Sequence, residues 1–455
     1  MKLFILKTKN LIRFEGNSRS DKAKKNIVLL FVFNAVNFAA TLIIIPLTLK
    51  YLGAVEYGVW LTISSVLTWF SYFDFGIGNG LRNKLAEAIS ENSFEKAKTF
   101  VSTAYAVFGL GILALCMVFY IIYGFINWQL IFNVPEYLAS KVNVLIAVVF
   151  LLFSLQLFLK LIYSVNQADQ RPAVNGFLSA LVNIFSVLFL FIIYKTYRRN
   201  IVMLGTGLSL IPVIILLLAS LILFLKYYKR IAPAFKNIQF KYSSVLVKLG
   251  VQFFVIQLSS LVLFATDSLI ITRIFGPAEV TTYNIAYKLF YFIPLFFNII
   301  LTPFWSAYTE AYVKEDFQWI RNSTSKIIKI WSLLSVGAAA LVFLAEPIYR
   351  LWVGSEIKIP FYLSAVMGVF VILSNWNNIF AFFINGVGKI RLQFYSSIFV
   401  AVINIPLSIY FAKNLGMGIT GVMAATCVCV AVGSVWAPVQ YSKIISRKAA
   451  GIWYQ

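Results

Sequence analysis

Long apolar runs separated by short polar segments dominate the chain. Twelve such runs occupy residues 27–49, 58–80, 99–125, 142–165, 175–194, 201–225, 249–274, 281–305, 329–348, 360–384, 393–412 and 417–440. About 20 apolar residues, at roughly 1.5 Å of rise each, cross the hydrocarbon layer as a helix. The pattern therefore predicts an all-α membrane protein with about twelve transmembrane helices. Runs 58–80 and 281–305 are the most polar, with Gly or Pro near their ends. The longest internal basic connection, 226–248, carries Pro233 and six Lys or Arg residues. It reads as a cytoplasmic linker between two six-helix bundles, 27–225 and 249–440. A basic N-terminal segment (1–26) precedes them and a tail (441–455) follows.

The two halves resemble each other. The run KYLGAVEYGVW at 50–60 aligns with RIFGPAEVTTY at 273–283, an offset of 223 residues. The same offset brings Ala86-Glu87-Ala88 opposite Thr309-Glu310-Ala311. A further pair, Asn166 and Asn385, each expected in a loop after a helix, sits at offset 219. An even number of helices per half makes the repeats parallel. Two pseudo-symmetric bundles in one membrane chain imply a transporter with its substrate path between them.

Composition narrows the chemistry. The 455 residues are 61% hydrophobic and 12% charged, where soluble domains carry about a quarter charged residues. There is no His, and Cys427 and Cys429 are too closely spaced on a helix to share one face. No disulfide framework, metal site or His-based catalysis is expected. Residues 1–25 lack the pattern of a cleaved signal, so the first apolar run reads as a retained anchor. The absence of a G-x-x-x-x-G-K-[ST] run removes ATP-driven transport by this chain alone. No cofactor is expected beyond coupling to H⁺ or Na⁺.

The net charge of +23 follows the topology and points to no nucleic-acid partner. With the N-terminus cytoplasmic, 28 of the 39 Lys and Arg residues fall in cytoplasmic segments and nine in external ones. Both termini are then cytoplasmic, and the linker faces an anionic leaflet of membrane lipids. Lys195, Arg198 and Arg199 form the one discordant external cluster. External loops are short, the longest being 126–141.

An ionisable side chain near the bilayer centre costs about 2.5–3.5 kcal/mol even on the lenient insertion scale, so each one within a span draws attention. Asp74, Lys160, Asp267, Arg273 and Lys288 fall within or at the ends of spans, and Arg82 just beyond one. Lys160 and Arg273 lie near helix ends, where a long stem reaches the headgroups. Lys288 lies about two turns inside. Asp267, on the adjacent helix, is placed either to neutralise Lys288 or to act elsewhere. Asp74 precedes Gly76, Gly78 and Gly80, a place where a helix ends or bends, and reads as a cap or a gate residue. Glu87 and Glu310 are expected to pair with basic neighbours. Asn34, Asn37 and Thr41 share one helix face. With Gln252, Gln257 and Ser260 they mark inward faces, through helix–helix hydrogen bonds or a hydrated wall. Pro46, Pro212, Pro294, Pro303 and Pro406 offer flexure points.

Several motifs together resemble a known family: YLGAVEYGVW (51–60), FDFGIGNGLR (73–82), ATDSLII (265–271) followed by Phe275-Gly276, NGVGKIRL (385–392), VINIP (402–406) and GMGITG (416–421). In this order they are similar to the O-antigen (Wzx-type) polysaccharide flippases of the multidrug/oligosaccharidyl-lipid/polysaccharide exporter superfamily. The resemblance implies a MATE-like, V-shaped pair of bundles around a cationic central cavity. It implies alternating access, with an undecaprenyl-pyrophosphate-linked oligosaccharide moved across the bacterial inner membrane. Lys288, Arg273, Arg82 and Lys160 are then the substrate-binding residues, because cations suit pyrophosphate. Asp267 and Asp74 serve as coupling or counter-charge residues, and Asn34, Asn37 and Gln257 line the cavity. A polysaccharide polymerase or other assembly proteins are the partners that reading implies. An ion-coupled drug antiporter of the same fold is the first alternative, weakened by the absence of Asp and Glu from 27–49. A membrane glycan polymerase or ligase is the second, weakened by the short external loops.

Overall fold

The computed structural model describes residues 19–70, 76–131, 134–353 and 358–454. Regular structure among the described residues is helical, with no strand. Eleven helical stretches among them are long and apolar enough to cross a membrane. The run 58–80 passes through 71–75, outside the described residues, and no span is assigned to it. The protein is an all-α, multi-pass membrane protein.

The chain forms two compact units, Met1–Gly250 and Val251–Gln455. The first holds α1 (Arg19–Phe70), α2 (Ile77–Ser90), α3 (Phe94–Tyr123), α4 (Ala139–Leu159), α5 (Leu161–Ala168), α6 (Pro172–Thr196) and α7 (Ile201–Ile222). Helix α1 packs on α6, α4 on α7, and α2 on both α3 and α5. One apolar cluster gathers Leu81, Leu85, Val101, Ile162, Val165 and Leu216; another gathers Leu52, Leu138, Leu145, Leu190 and Leu204. Their outward neighbours, such as Leu113 and Met117, stay exposed as a lipid-facing surface requires. Asn200 caps α7, its side chain accepting from the Val202 and Met203 N–H groups at 3.0 and 3.1 Å.

Residues 229–242 lie on this first unit. Ser102 and Thr103 of α3 accept hydrogen bonds from the Ala234 and Gln239 N–H groups. Tyr228 and Ile231 are buried in the apolar cluster, and Arg230 lies over the Phe94 ring. The polar hydroxyls of α3 thus hold the connecting segment to the bundle surface.

The second unit contains α8 (Ser243–Phe275), which begins at the end of the first, then α9 (Pro277–Val313) and α10 (Phe317–Val353). It ends with α11 (Phe361–Val387), α12 (Arg391–Ile409) and α13 (Gly418–Ile445). Helix α11 is central, packing on α9, α10 and α13. The core includes Ile271, Phe290, Leu363, Met367, Val422 and Met423.

The repeat is visible atom by atom in the backbone. Gly53 (φ 72°, ψ 171°) breaks α1, and Gly276 (φ 93°, ψ 166°) separates α8 from α9. Both occupy a region essentially closed to side-chain-bearing residues. At the ends of α2 and α9, Asn92 and Glu315 are left-handed at φ 56° and 54°. In each, an N–H reaches back to close the helix: Ser93 to Ala88 at 2.9 Å, Asp316 to Ala311 at 2.8 Å. All these pairs keep the offset of 223. The later turn keeps a different one. Arg171 N–H donates to the Asn166 carbonyl and Lys389 N–H to the Ile384 carbonyl, an offset of 218. Asn385 is therefore equivalent to Gln167, and the pairing of Asn166 with Asn385 is one residue out of register. Both asparagines lie in the last turn of a helix, not in a loop.

Close packing of α11 on α9 depends on Gly386. A Cβ there would sit 2.5 Å from the Trp305 carbonyl oxygen and 3.3 Å from the Tyr308 Cβ. Thr309 Oγ1 also donates to the Gly386 carbonyl at 2.8 Å. Gly386→Ala is expected to destabilise the protein by about 1–3 kcal/mol, the usual cost of overpacking. The measurement is the apparent unfolding temperature of detergent-purified protein. Gly111→Ala, where the added methyl meets nothing within 4 Å, is the control that should leave it unchanged or higher.

Candidate functional site

In the first unit, Arg82 is 5% exposed on α2, outside the membrane-length spans. Burial lowers its guanidinium to about 9, so it stays charged at neutral pH. Lys160 is half-buried at the break between α4 and α5. Asp74 lies outside the described residues. Asn34 is exposed and donates to the Leu30 carbonyl of its own helix, and Thr41 likewise to the Asn37 carbonyl. Asn37 instead crosses to another helix: its Oδ1 accepts from Asn183 of α6 at 2.9 Å.

A second polar group in this unit gathers Asn166, which the sequence marked only as a repeat position, with Asn26, Asn175 and Tyr228, which it did not single out. The Asn26 amide donates to the Gln170 carbonyl at 2.9 Å, and its Oδ1 accepts from the Ala173 N–H. The Asn166 amide donates to Asn175, and Tyr228 donates to Asn166 Oδ1 at 3.1 Å. Asn26 and Asn166 are fully buried. These bonds lock α1, α5 and α6 and the start of the connecting segment to one another. They are structural, since the asparagine oxygens are already occupied.

The cluster of Lys195, Arg198 and Arg199 also finds partners here. Arg199 pairs with Glu56 at 2.9 Å, and its guanidinium lies over Gly53 at the break in α1. Tyr51 donates to the Arg198 carbonyl, and Lys195 lies over the Phe191 ring. The repeated carboxylates pair as expected with basic neighbours: Glu87 with Lys84 at 2.6 Å, Glu310 with Lys314 at 2.7 Å.

In the second unit, Asp267 and Lys288 are not joined. Asp267 is 1% exposed, and its Oδ2 accepts from the Tyr283 hydroxyl at 2.6 Å. Lys288, on the same helix as Tyr283, is exposed and has no carboxylate partner among the described residues. The neutral hydroxyl has taken the place expected for the ammonium. Arg273, in the last turn of α8, is exposed, and Gln257 is half-buried. Cys427 and Cys429 turn to different helices, donating to the Val366 and Val400 carbonyls. Among the described residues no cluster of His, Cys, Asp or Glu suits a metal ion. Arg82 and Lys160 thus belong to one unit, and Arg273, Lys288 and Asp267 to the other.

Solved structures share this fold. An outward-facing multidrug resistance MATE family transporter of the MOP superfamily matches with a TM-score of 0.76 at 15% identity. The match covers 96% of this chain and 98% of that one. A MOP superfamily transporter from Pyrococcus furiosus matches with a TM-score of 0.76 at 14% identity, covering 94% and 97%. The chain shares the helical fold of those transporters. Profiles for the families described as Polysaccharide biosynthesis protein and MatE match residues 23–309 and 253–410. The chain belongs to the polysaccharide biosynthesis protein family. It is 24% identical over 391 residues to a Salmonella typhimurium protein named as an O-antigen transporter, spanning 85% of this chain and 89% of the relative. A Yersinia pseudotuberculosis protein named as an O-antigen export protein is 23% identical over 419 residues, spanning 89% and 92%.

Proposed function

We propose that this transporter flips an undecaprenyl-pyrophosphate-linked oligosaccharide from the inner to the outer leaflet of the bacterial cytoplasmic membrane. The work is for surface polysaccharide assembly, by alternating access, with both termini cytoplasmic. A pyrophosphate and glycan cannot enter hydrocarbon without losing their hydrogen bonds to water, so a polar protein path is required. The observation that carries the reading is Lys288. An exposed lysine without a carboxylate partner among the described residues, inside a membrane-length helix, suits an anionic headgroup. Arg273, Arg82 and Lys160 are the further cations proposed to meet the pyrophosphate. The names carried by the relatives agree in substrate class, and the surplus of Lys and Arg in the predicted cytoplasmic segments supports the orientation.

Deletion of the gene tests the reading. The expected result is loss of surface glycan with lipid-linked glycan accumulating on the cytoplasmic leaflet, restored by the wild-type gene. Leaflet is read by a membrane-impermeant glycan label on right-side-out and inverted vesicles. Lipid-linked glycan reaching the outer leaflet normally in the deletion strain overturns the proposal. Normal glycan with new sensitivity to cationic drugs would favour the antiporter alternative.

A further inference from the structure

Helix α11, the centre of the second unit, carries no charged residue, yet at its middle it runs Ser374-Asn375-Trp376-Asn377-Asn378. Of these five, Trp376 alone has a side-chain hydrogen bond among the described residues, donating to the Ser434 carbonyl of α13 at 3.1 Å. Asn375 Oδ1 and Asn377 Oδ1 are buried and unpartnered. Ser374 and Asn378 have no side-chain partner among the described residues either. Other asparagines of this protein behave differently. Asn183 bonds Asn37, Asn166 bonds Asn175, and Asn404 of α12 donates to Thr426 of α13 at 3.1 Å. Each of those joins two helices, the ordinary use of an amide in a membrane. The three asparagines of the α11 run join none.

Spacing sorts the run. Ser374, Asn377 and Asn378 stand at i, i+3 and i+4, one face of the helix, and all three are half-buried. Asn375 is 1% exposed and lies off that face. Gly433 of α13 borders the patch, and a Cβ there would fall 2.7 Å from Asn377 Oδ1. The neighbouring helix thus leaves the amide room and gives it no donor. Lipid tails offer neither donors nor acceptors, and α11 has no carboxylate to hold a cation. Two amides and a hydroxyl both donate and accept, as sugar hydroxyls do. The patch also has a fixed relation to Lys288. Tyr287, its neighbour in α9, packs on Phe370 of α11 with ring centroids 6.4 Å apart. Ser374 and Asn378 follow Phe370 by one and two turns, about 6 and 12 Å along the helix. That is the reach of the first sugars beyond a phosphate.

We propose that Ser374, Asn377 and Asn378 form a charge-free subsite that binds sugar hydroxyls of the transported glycan. It selects for the glycan, while Lys288 holds the phosphate common to every such lipid. The subsite rests on the flippase reading and divides its substrate between two sets of residues.

Binding to protein in lipid nanodiscs tests this with two probes: bare undecaprenyl pyrophosphate, and the lipid-linked glycan extracted from the deletion strain. Wild type should bind the glycan-bearing lipid about tenfold or more tighter than the bare one. Asn377→Leu and Asn378→Leu should each remove about three- to tenfold of that difference and leave bare-lipid affinity unchanged, the factor a single hydrogen bond supplies. Ser374→Ala, a smaller change to the packing, should move the ratio the same way. Lys288→Ala should weaken both lipids alike. A ratio intact in all three patch variants, or an equal loss for both lipids, overturns the subsite and leaves these residues structural. Equal binding of the two lipids by wild type overturns it as well. Binding of neither lipid by wild type is the separate outcome that overturns the flippase reading, and the subsite falls with it.

Discussion

Lys288→Ala is expected to lower surface-glycan export about ten- to a hundredfold while the protein still inserts and folds. A hydrogen bond to a charged group contributes roughly 1.5–3 kcal/mol, and each 1.4 kcal/mol is about tenfold. The depth of the residue supports a role beyond anchoring. The membrane-length stretch containing it begins at Thr282, so Lys288 lies about 9 Å along the helix from that end. The residue is exposed and is not paired with Asp267, which has bonded Tyr283 instead. Lys288→Arg should retain most export, because a guanidinium also donates to phosphate oxygens, whereas Lys288→Gln should resemble Ala. Export is measured as surface glycan per unit of membrane-inserted transporter. Unchanged export by both Ala and Gln variants would mean that the stem only snorkels to the headgroups and touches no substrate.

The fold was legible because bilayer thickness fixes run length: a chain that must span about 30 Å of hydrocarbon writes that length into its hydrophobicity. The repeat was legible for a different reason. Gly53 and Gly276 hold backbone angles that tolerate little else, so they survive where the helices around them have diverged. The register of the Asn166 turn was not legible, because asparagine identity is a weaker constraint than the backbone bond that closes the helix. The ionisable residues of the candidate site were visible individually, since hydrocarbon makes each one costly. Their partners were not. Tyr283, Asn404 and Thr426 come from three helices distant in sequence, and nothing in a hydroxyl or amide on an apolar helix announces which neighbour it meets. Likewise the contact of Arg199 with Glu56, 143 residues away, left no mark in the sequence.

Gly53→Ala is expected to cost more stability than Gly276→Ala, although the two glycines are repeat equivalents. Both substitutions place a Cβ on a backbone at φ 72° or 93°, a strain of about 1–3 kcal/mol. At Gly276 the added methyl meets nothing within 4 Å, so strain is the whole effect. At Gly53 it would lie 3.0 Å from Arg199 Nη1 and 3.3 Å from Cζ. The guanidinium must move, and moving it loosens the 2.9 Å pair with Glu56, whose side chain is 9% exposed. Because Arg199 is itself 45% exposed, the pair is partly screened, and its loss should add about 1 kcal/mol or less. Thermal unfolding of the two single variants, of Arg199→Ala and of the Gly53→Ala/Arg199→Ala double variant decides the matter. The Gly53 and Arg199 effects should be non-additive by about 0.5 kcal/mol or more, because both act on the same guanidinium. No such coupling is expected between Arg199→Ala and Gly276→Ala. Equal losses at the two glycines, with additive behaviour at Arg199, would show that the Arg199–Glu56 pair does not brace the break in α1.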